Sequence, residues 1–321
     1  MDKNAKIYVA GHTGLVGSAL MRALAVQGYQ HVVTASHKSL DLTHQPSVQQ
    51  FFEKEQPEFV FLAAAKVGGI LANNNYPAQF IQQNLAIQSH VIHEAWRSGV
   101  KRLLFLGSSC IYPKACPQPI REDYLLTGPL EETNRPYAIA KIAGIEMCSA
   151  YNRQYGTQFL AIMPTNLYGP GDNYDLENSH VLPALIRKFH EAKTLEKDHV
   201  MLWGTGTPRR EFLYSDDMAN ACLYLSNLAD DQYTTLLSGT DSMSHPLINV
   251  GCGKDITIQE LAILVKEIVG YTGNILWDAS KPDGTLRKLL DVSRLTHLGW
   301  QASTDLKSGI AKAYQQFREL A

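Results

Sequence analysis

The feature that most narrows what this chain can fold into is a short apolar run, Ile7–Ala10. It breaks into three evenly spaced glycines, Gly11, Gly14 and Gly17, and then into a helical pattern from Leu15 to Gln27. A short apolar run reads as a buried strand, and apolar residues at helical spacing after it read as a helix packed on a sheet. Strand, glycine turn and helix in that order open a dinucleotide-binding βαβ unit. The first glycine permits the tight turn, the second lets backbone amides approach a pyrophosphate, and the third lets helix pack on strand. The helix N-terminus then offers the phosphates the positive end of its dipole. His12, Thr13, Leu15 and Val16 stand between these glycines and belong to the same expected cofactor site.

The alternation continues downstream. Strands are expected at His31–Ala35, Phe59–Ala64, Arg102–Gly107 and Phe159–Pro164, and helices at Pro46–Glu55, Ala78–Arg97 and Tyr137–Tyr155. Strands alternating with helices predict an α/β fold with a Rossmann-like, doubly wound parallel sheet. After Pro164 the texture changes to Pro/Gly/Asn-rich loops at Leu167–Asn178, Trp203–Arg210 and Lys281–Arg287. This predicts a Rossmann domain over residues 1–170 and a smaller, discontinuous C-terminal substrate domain over 171–321. Phe212–Leu228 and Leu247–Val250 are expected to return to the first domain, so the returning stretch is about 212–250.

Composition limits the function classes. The chain has 321 residues, of which 45% are apolar, with a formal net charge of −2. That is enough chain for two abutting cores, and it offers no electrostatic case for nucleic acid or an anionic membrane as partner. No stretch is long and apolar enough to span a bilayer, and the N-terminus runs directly into the first strand, so a cytoplasmic protein is expected. The five cysteines, Cys110, Cys116, Cys148, Cys222 and Cys252, include no CxxC pair. Neither a disulfide framework nor a metal site is expected.

The end of the second strand addresses the cofactor. NAD users place a carboxylate there for the ribose hydroxyls. This chain has Ser36, His37 and Lys38, with no carboxylate before Asp41, which favours NADP(H). Tyr137 and Lys141 lie four apart, hence on one helical face. A phenol with a reference pKa near ~10 needs a nearby cation to work as an acid–base at neutral pH, and Lys141 is spaced to supply it. Ser108, at a strand end two elements earlier, is placed to bond the reacting carbonyl oxygen beside Tyr137.

Several segments carry a closer likeness together. They are Ala63–Ile70, Leu106-Gly107-Ser108-Ser109-Cys110-Ile111-Tyr112-Pro113, Pro136–Lys141, Pro164-Thr165-Asn166-Leu167-Tyr168-Gly169-Pro170, Asn178–Pro183 and Trp203–Gly206. The GxxGxxG spacing and the YxxxK pair resemble extended short-chain dehydrogenase/reductases. Ser-Ser-Cys with Asn-Ser-His resembles their GDP-L-fucose synthase branch, over essentially the whole chain. The resemblance implies two chemistries in one pocket: epimerisation at carbons 3 and 5 of a GDP-4-keto-6-deoxy-mannose, then NADPH-dependent reduction at carbon 4. It implies Cys110 as epimerisation base and His180 as acid. The residue types suit those roles, since a thiol near ~8.5 becomes an effective base beside a cation and a histidine near ~6.5 can donate a proton.

By the same resemblance, Leu106, Gly107, Ser108, Ser109, Lys141, Pro164, Thr165, Asn166, Leu167 and His180 face the cofactor, and Asp41 lies near the adenine. Asn166, Lys188, Trp203, Arg210, Asp283 and Lys288 face the nucleotide-sugar. Arg and Lys suit its diphosphate and aromatics its flat base. One departure stands out: some relatives carry Arg at the Thr13 position, so His37 and Lys38 must supply more of the NADP preference here. The helices Ala78–Arg97 and that beginning at Tyr137 carry wide apolar faces. In this family such helices pair across a two-fold axis, which implies a homodimer. The rivals are a 4-epimerase, a 4,6-dehydratase and a non-catalytic NADP sensor on the same fold. The first needs no second acid–base pair, the second shows acidic residues where Ser109-Cys110 stand, and the third commonly lacks the Tyr or Lys.

Overall fold

The computed structural model describes residues 1–176, 178–238, 245–281 and 283–320. Glu177 and Pro282, inside two of the expected loops, and 239–244, inside the expected returning stretch, lie outside the described residues. The first half alternates β1 (Ile7–Ala10), α1 (Leu15–Val26), β2 (Val32–Val33), α2 (Gln45–Glu55), β3 (Phe59–Leu62), α3 (Ile70–Asn75), α4 (Pro77–Arg97), β4 (Arg102–Leu106), α5 (Arg135–Tyr155) and β5 (Phe159–Pro164). Both long helices begin earlier than the apolar pattern suggests, because Pro77 and Pro136 fit the first helical turn, where a missing N–H costs nothing. The second strand is shorter than expected: only Val32 and Val33 pair, and only with β1, at the sheet's edge.

The second half runs β6 (Asn166–Tyr168), α6 (Val181–Thr194), β7 (His199–Trp203), β8 (Arg209–Tyr214), α7 (Ser215–Ser226), α8 (Asp230–Ser238), β9 (Leu247–Val250), β10 (Asp255–Thr257), α9 (Ile258–Val269), β11 (Asn274–Asp278), β12 (Arg287–Lys288), α10 (Ser293–His297) and α11 (Leu306–Leu320). The main sheet has the order β2-β1-β3-β4-β5-β9, with every pairing parallel. The chain crosses from one side of β1 to the other between β2 and β3. That reversal opens the crevice at the carboxyl ends of β1 and β3, where a doubly wound sheet binds its ligand.

The strands are apolar on both faces because helices cover both. Ile7, Val9, Phe59, Phe61, Leu104, Leu106, Leu160 and Ile162 face one core, with α1 and α7. Tyr8, Ala10, Val60, Leu62, Leu103, Phe105, Phe159, Ala161 and Met163 face the other, with α2, α4 and α5. The period of two thus splits each strand between two cores. A third core joins α6, α9 and α11 through Leu182, Ile186, Phe189, Leu261, Val265, Ile310 and Ala313.

The stretch expected to return at Phe212–Leu228 divides. The strand β8 joins β6, β10 and β12 in a separate sheet, whereas α7 packs along α1. Part of the expected loop Leu167–Asn178 is strand as well, since β6 pairs with β8 from Asn166 to Tyr168.

Candidate active site

The glycine loop lies at the mouth of the crevice. Gly11 has φ +84°, and a Cβ there would come within 2.7 Å of the Ala64 nitrogen on the neighbouring loop. A Cβ on Gly17 would sit 1.9 Å from the Gly11 oxygen, so any other residue would push α1 off the turn. Gly14 differs, because a Cβ there meets only the Gly11 oxygen at 3.5 Å. Its open side leaves a backbone cradle at the N-terminus of α1. That terminus has no side-chain cap and no acidic residue in its first turn, so its free N–H groups suit an anion. The buried Nδ1 of His12 also lacks a partner. These features fit a dinucleotide diphosphate. Thr13 is exposed, and Leu15 and Val16 are half-buried at the helix start.

Beyond β2, Ser36, His37 and Lys38 are exposed, and Ser36 shares a 3.0 Å hydroxyl contact with Ser39. Asp41 is committed locally: its Oδ1 accepts from the Thr43 amide at 2.9 Å and the Thr43 hydroxyl at 2.7 Å, bonds that hold its carboxyl below the usual range.

At the end of β4, Leu106 and Gly107 lead into a single 3₁₀ turn over Ser109–Ile111. Ser108 caps that turn, its Oγ accepting from the Cys110 amide at 3.4 Å. Ser109 and Cys110 are buried. Burial pushes the Cys110 thiol up, and Lys288, Ser108 and Lys141 oppose the rise in that order.

On α5, Lys141 is buried, and its ammonium donates to the Leu106 carbonyl at 2.7 Å. The ammonium lies 5.8 Å from the centre of the Tyr137 ring and makes no hydrogen bond to the Tyr137 hydroxyl. Burial lowers its pKa to about 8, so it remains mainly a cation at neutral pH. Tyr137 packs edge-on against Phe80 at 6.2 Å. Burial raises the phenol's pKa, and the neighbouring Cys110 adds to the rise. The expected cation is therefore in place near Tyr137, but the strand end of β4 holds it.

Pro164 closes β5, and Thr165, Asn166 and Leu167 follow. Thr165 Oγ1 and Asn166 Nδ2 both donate to the Glu211 carbonyl, at 3.1 and 2.8 Å, which ties β5's end to β8. His180 occupies the N-cap position of α6, yet its ring caps nothing and bonds nothing among the described residues. Its ring is reachable by solvent but surrounded by protein, and this enclosure lowers its pKa. The loop before it meets the loop after β3, the Gly69 amide donating to the Asn178 carbonyl at 3.2 Å.

Farther out, Trp203 is 64% exposed at the end of β7. The ammonium groups of Lys188 and Lys281 lie 6.0 and 5.7 Å from its ring centre. Asp283 accepts from the Thr205 amide at 3.0 Å and its hydroxyl at 2.7 Å, so it braces the turn after Trp203. The Arg210 guanidinium donates to the Arg209 carbonyl at 2.8 Å and feels Asp283. Lys288 stands opposite Arg210 on β12.

Residues 7–235 match the NAD dependent epimerase/dehydratase family. The chain belongs to that family. A putative GDP-L-fucose synthase from Arabidopsis thaliana is 56% identical over 319 residues, covering 99% of this chain and 93% of that protein. The Escherichia coli GDP-L-fucose synthase is 53% identical, covering 98% of this chain and 97% of that protein. Among solved structures, MlghC, a GDP-mannoheptose reductase from Campylobacter jejuni with NADP bound, superposes with a TM-score of 0.90 at 40% identity and covers 99% of both chains.

For a member of this epimerase/dehydratase family, several residues near the site escaped sequence reasoning. Asn84 and Gln88 stand one turn apart on the buried face of α4. Asn84 exchanges hydrogen bonds with the Lys66 backbone, both at 3.0 Å, and so fixes the loop after β3. Two amides at i and i+4 on an otherwise apolar face were a legible signal of a buried polar role. Glu131, Asn134 and Lys114 line a recess beside Cys110 together with Lys288. No pattern in the sequence joins those four.

Proposed function

We propose that this protein converts GDP-4-keto-6-deoxy-D-mannose to GDP-L-fucose by epimerising carbons 3 and 5 and then reducing carbon 4 with NADPH. The observation that carries the reading is the buried Cys110 thiol inside the 3₁₀ turn that Ser108 caps, close enough to Tyr137 to perturb it. Reduction at carbon 4 calls on Ser108, Tyr137 and Lys141 but on no thiol. Relatives above half identity named GDP-L-fucose synthase support the same reading.

In this reading Cys110 takes protons from carbons 3 and 5, whose acidity comes from the 4-keto group. His180 returns protons on the opposite face. Ser108 and Tyr137 donate to the carbonyl oxygen and stabilise the enolate charge. Tyr137 later protonates that oxygen during reduction, with Lys141 providing the local positive charge. Gly11–Gly17, the 63–70 loop, Leu106–Ser109 and Pro164–Leu167 hold the dinucleotide, and Ser36, His37 and Lys38 meet its 2′-phosphate. When bound, the nicotinamide supplies hydride to carbon 4. Trp203, Lys188, Arg210, Asp283 and Lys288 receive the nucleotide of the substrate. The third core with its two small sheets then acts as the substrate domain.

We also place the protein in the cytoplasm as a homodimer. All five thiols are free, as a reducing compartment keeps them, and no helix among the described residues is long and apolar enough to cross a membrane. Trp96 stacks on the half-exposed Tyr155 at 4.2 Å on the outer side of α4 and α5, which supports pairing of those helices between copies.

The test is NADPH oxidation with GDP-4-keto-6-deoxy-mannose, the product identified by NMR and mass. NADH and a UDP-keto-sugar serve as controls. GDP-L-fucose is the expected product. NADPH binding without turnover would leave the fold standing and remove this substrate. Cys110→Ala should abolish solvent deuterium incorporation at carbons 3 and 5 while NADPH still binds, and unchanged exchange would remove the thiol from its role.

A further inference from the structure

The two short strands that meet beneath the site carry four cations in two rows. Arg209 stands opposite Arg287, and Arg210 opposite Lys288. Side chains alternate along a strand, so the rows face opposite ways. One row is neutralised: Arg209 and Arg287 both clamp Asp255, at 3.0 and 2.5 Å. Of the other row, Lys288 lines a recess together with Ser109 and Cys110, whose rim the Asp255-bound Arg287 also reaches.

Lys288 has no hydrogen bond and no ion pair from its ammonium among the described residues. A half-buried ammonium with no carboxylate at ion-pair distance is available to an anion that forms during the work of the site. The ionisable groups around it are the Cys110 thiol on the β4 turn, Arg210 on β8, Cys116 in the loop beyond and Glu131 before α5, and Lys114 and Arg287 line the same recess. Around Cys110 stand Lys288, Ser108 and Lys141, and Tyr137 lies close by. Lys141 is committed to the Leu106 carbonyl. Of the two cations that act on the thiol, that leaves Lys288 uncommitted and able to answer a charge on the sulfur.

We propose that Lys288 is the counter-ion of the Cys110 thiolate, a positioning residue for epimerisation rather than only a contact to the nucleotide. The proposal rests on the reading of Cys110 as the base. The thiolate takes the proton from carbon 3 or 5 and becomes a thiol. The C–H electron pair moves to the carbonyl oxygen as enolate, and His180 gives a proton to the opposite face. Lys288 stays protonated throughout and favours the sulfur's charged form before each proton is taken.

The experiment follows the pH dependence of Cys110 alkylation by iodoacetamide, read at the Cys110 peptide by mass, in the full-length protein and in Lys288→Met and Lys288→Arg. It needs no sugar substrate. In Lys288→Met the midpoint should rise by about one pH unit, making alkylation about tenfold slower at pH 7. Lys288→Arg should keep the midpoint within a few tenths. Deuterium exchange at carbons 3 and 5 should fall about tenfold at pH 7 in the Met variant and recover at higher pH. NADPH binding serves as the folding control, and Lys288→Gln replaces the Met variant if that control fails. An unmoved midpoint with weakened GDP binding would overturn the proposal and leave Lys288 a nucleotide contact. A shifted midpoint in a protein that exchanges no deuterium would uphold the pair and defeat the substrate reading instead.

Discussion

The two ends of the cleft are built on different principles. At the end proposed for the cofactor, the backbone would do most of the holding: Gly11 and Gly17 pack so closely that a single Cβ would collide with a neighbouring backbone atom. Ser109, Lys141 and Thr165 are buried there, and Lys141 is fastened to a strand carbonyl. At the end proposed for the substrate's nucleotide, side chains would do the holding. Trp203 is exposed, Asp283 braces a turn, and Arg210 and Lys288 are brought together only because β12 pairs with β8. A backbone cradle depends on short-range spacing and tolerates little change. A side-chain platform depends on distant segments meeting, and an exposed member such as Trp203 can change without disturbing the fold.

The largest effect should come at the cofactor end. Tyr137→Phe should cut reduction by a factor on the order of 10³ while proton exchange continues. In the unaltered protein reduction should also weaken as pH rises through about 8, because Lys141 is a cation below that value and neutral above it. Stopped-flow NADPH oxidation alongside deuterium exchange would check both, and normal oxidation in the Phe variant would break the assignment. Next, Gly17→Ala should lose cofactor binding and about 1–3 kcal/mol of stability, since its Cβ would lie 1.9 Å from the Gly11 oxygen. Gly14→Ala adds only an ordinary 3.5 Å contact, so it should keep its melting temperature and lose mainly NADPH affinity. Equal melting losses in the two variants would erase the distinction between packing and cradle.

The nucleotide end should respond more mildly. Trp203→Ala should leave the melting temperature unchanged and raise the substrate KM about tenfold, as loss of one stacking surface implies. A large melting shift would show that the ring packs rather than binds. Lys38→Ala should give the smallest change, a drop of a few fold in the preference for NADPH over NADH, because an exposed cation pairs weakly with phosphate. Comparing kcat/KM for the two cofactors measures it.

Much of the first lobe was legible in the chain itself. An apolar run, three glycines and a helical period dictate a turn that few other arrangements satisfy, and α/β alternation follows from residues near one another in sequence. The spacing of Tyr137 and Lys141 placed them on one helical face without further help. The tertiary structure alone decided that Lys141 is tethered to Leu106, that His180 sits at a helix N-cap without capping it, and that β8 leaves the main sheet to pair with β6, β10 and β12. It alone also brought Lys288 to the recess that Cys110 lines. Local propensity is written in neighbouring residues. Which face of a two-residue strand meets a thiol across the cleft depends on a pairing register between distant segments, and no local pattern encodes that register.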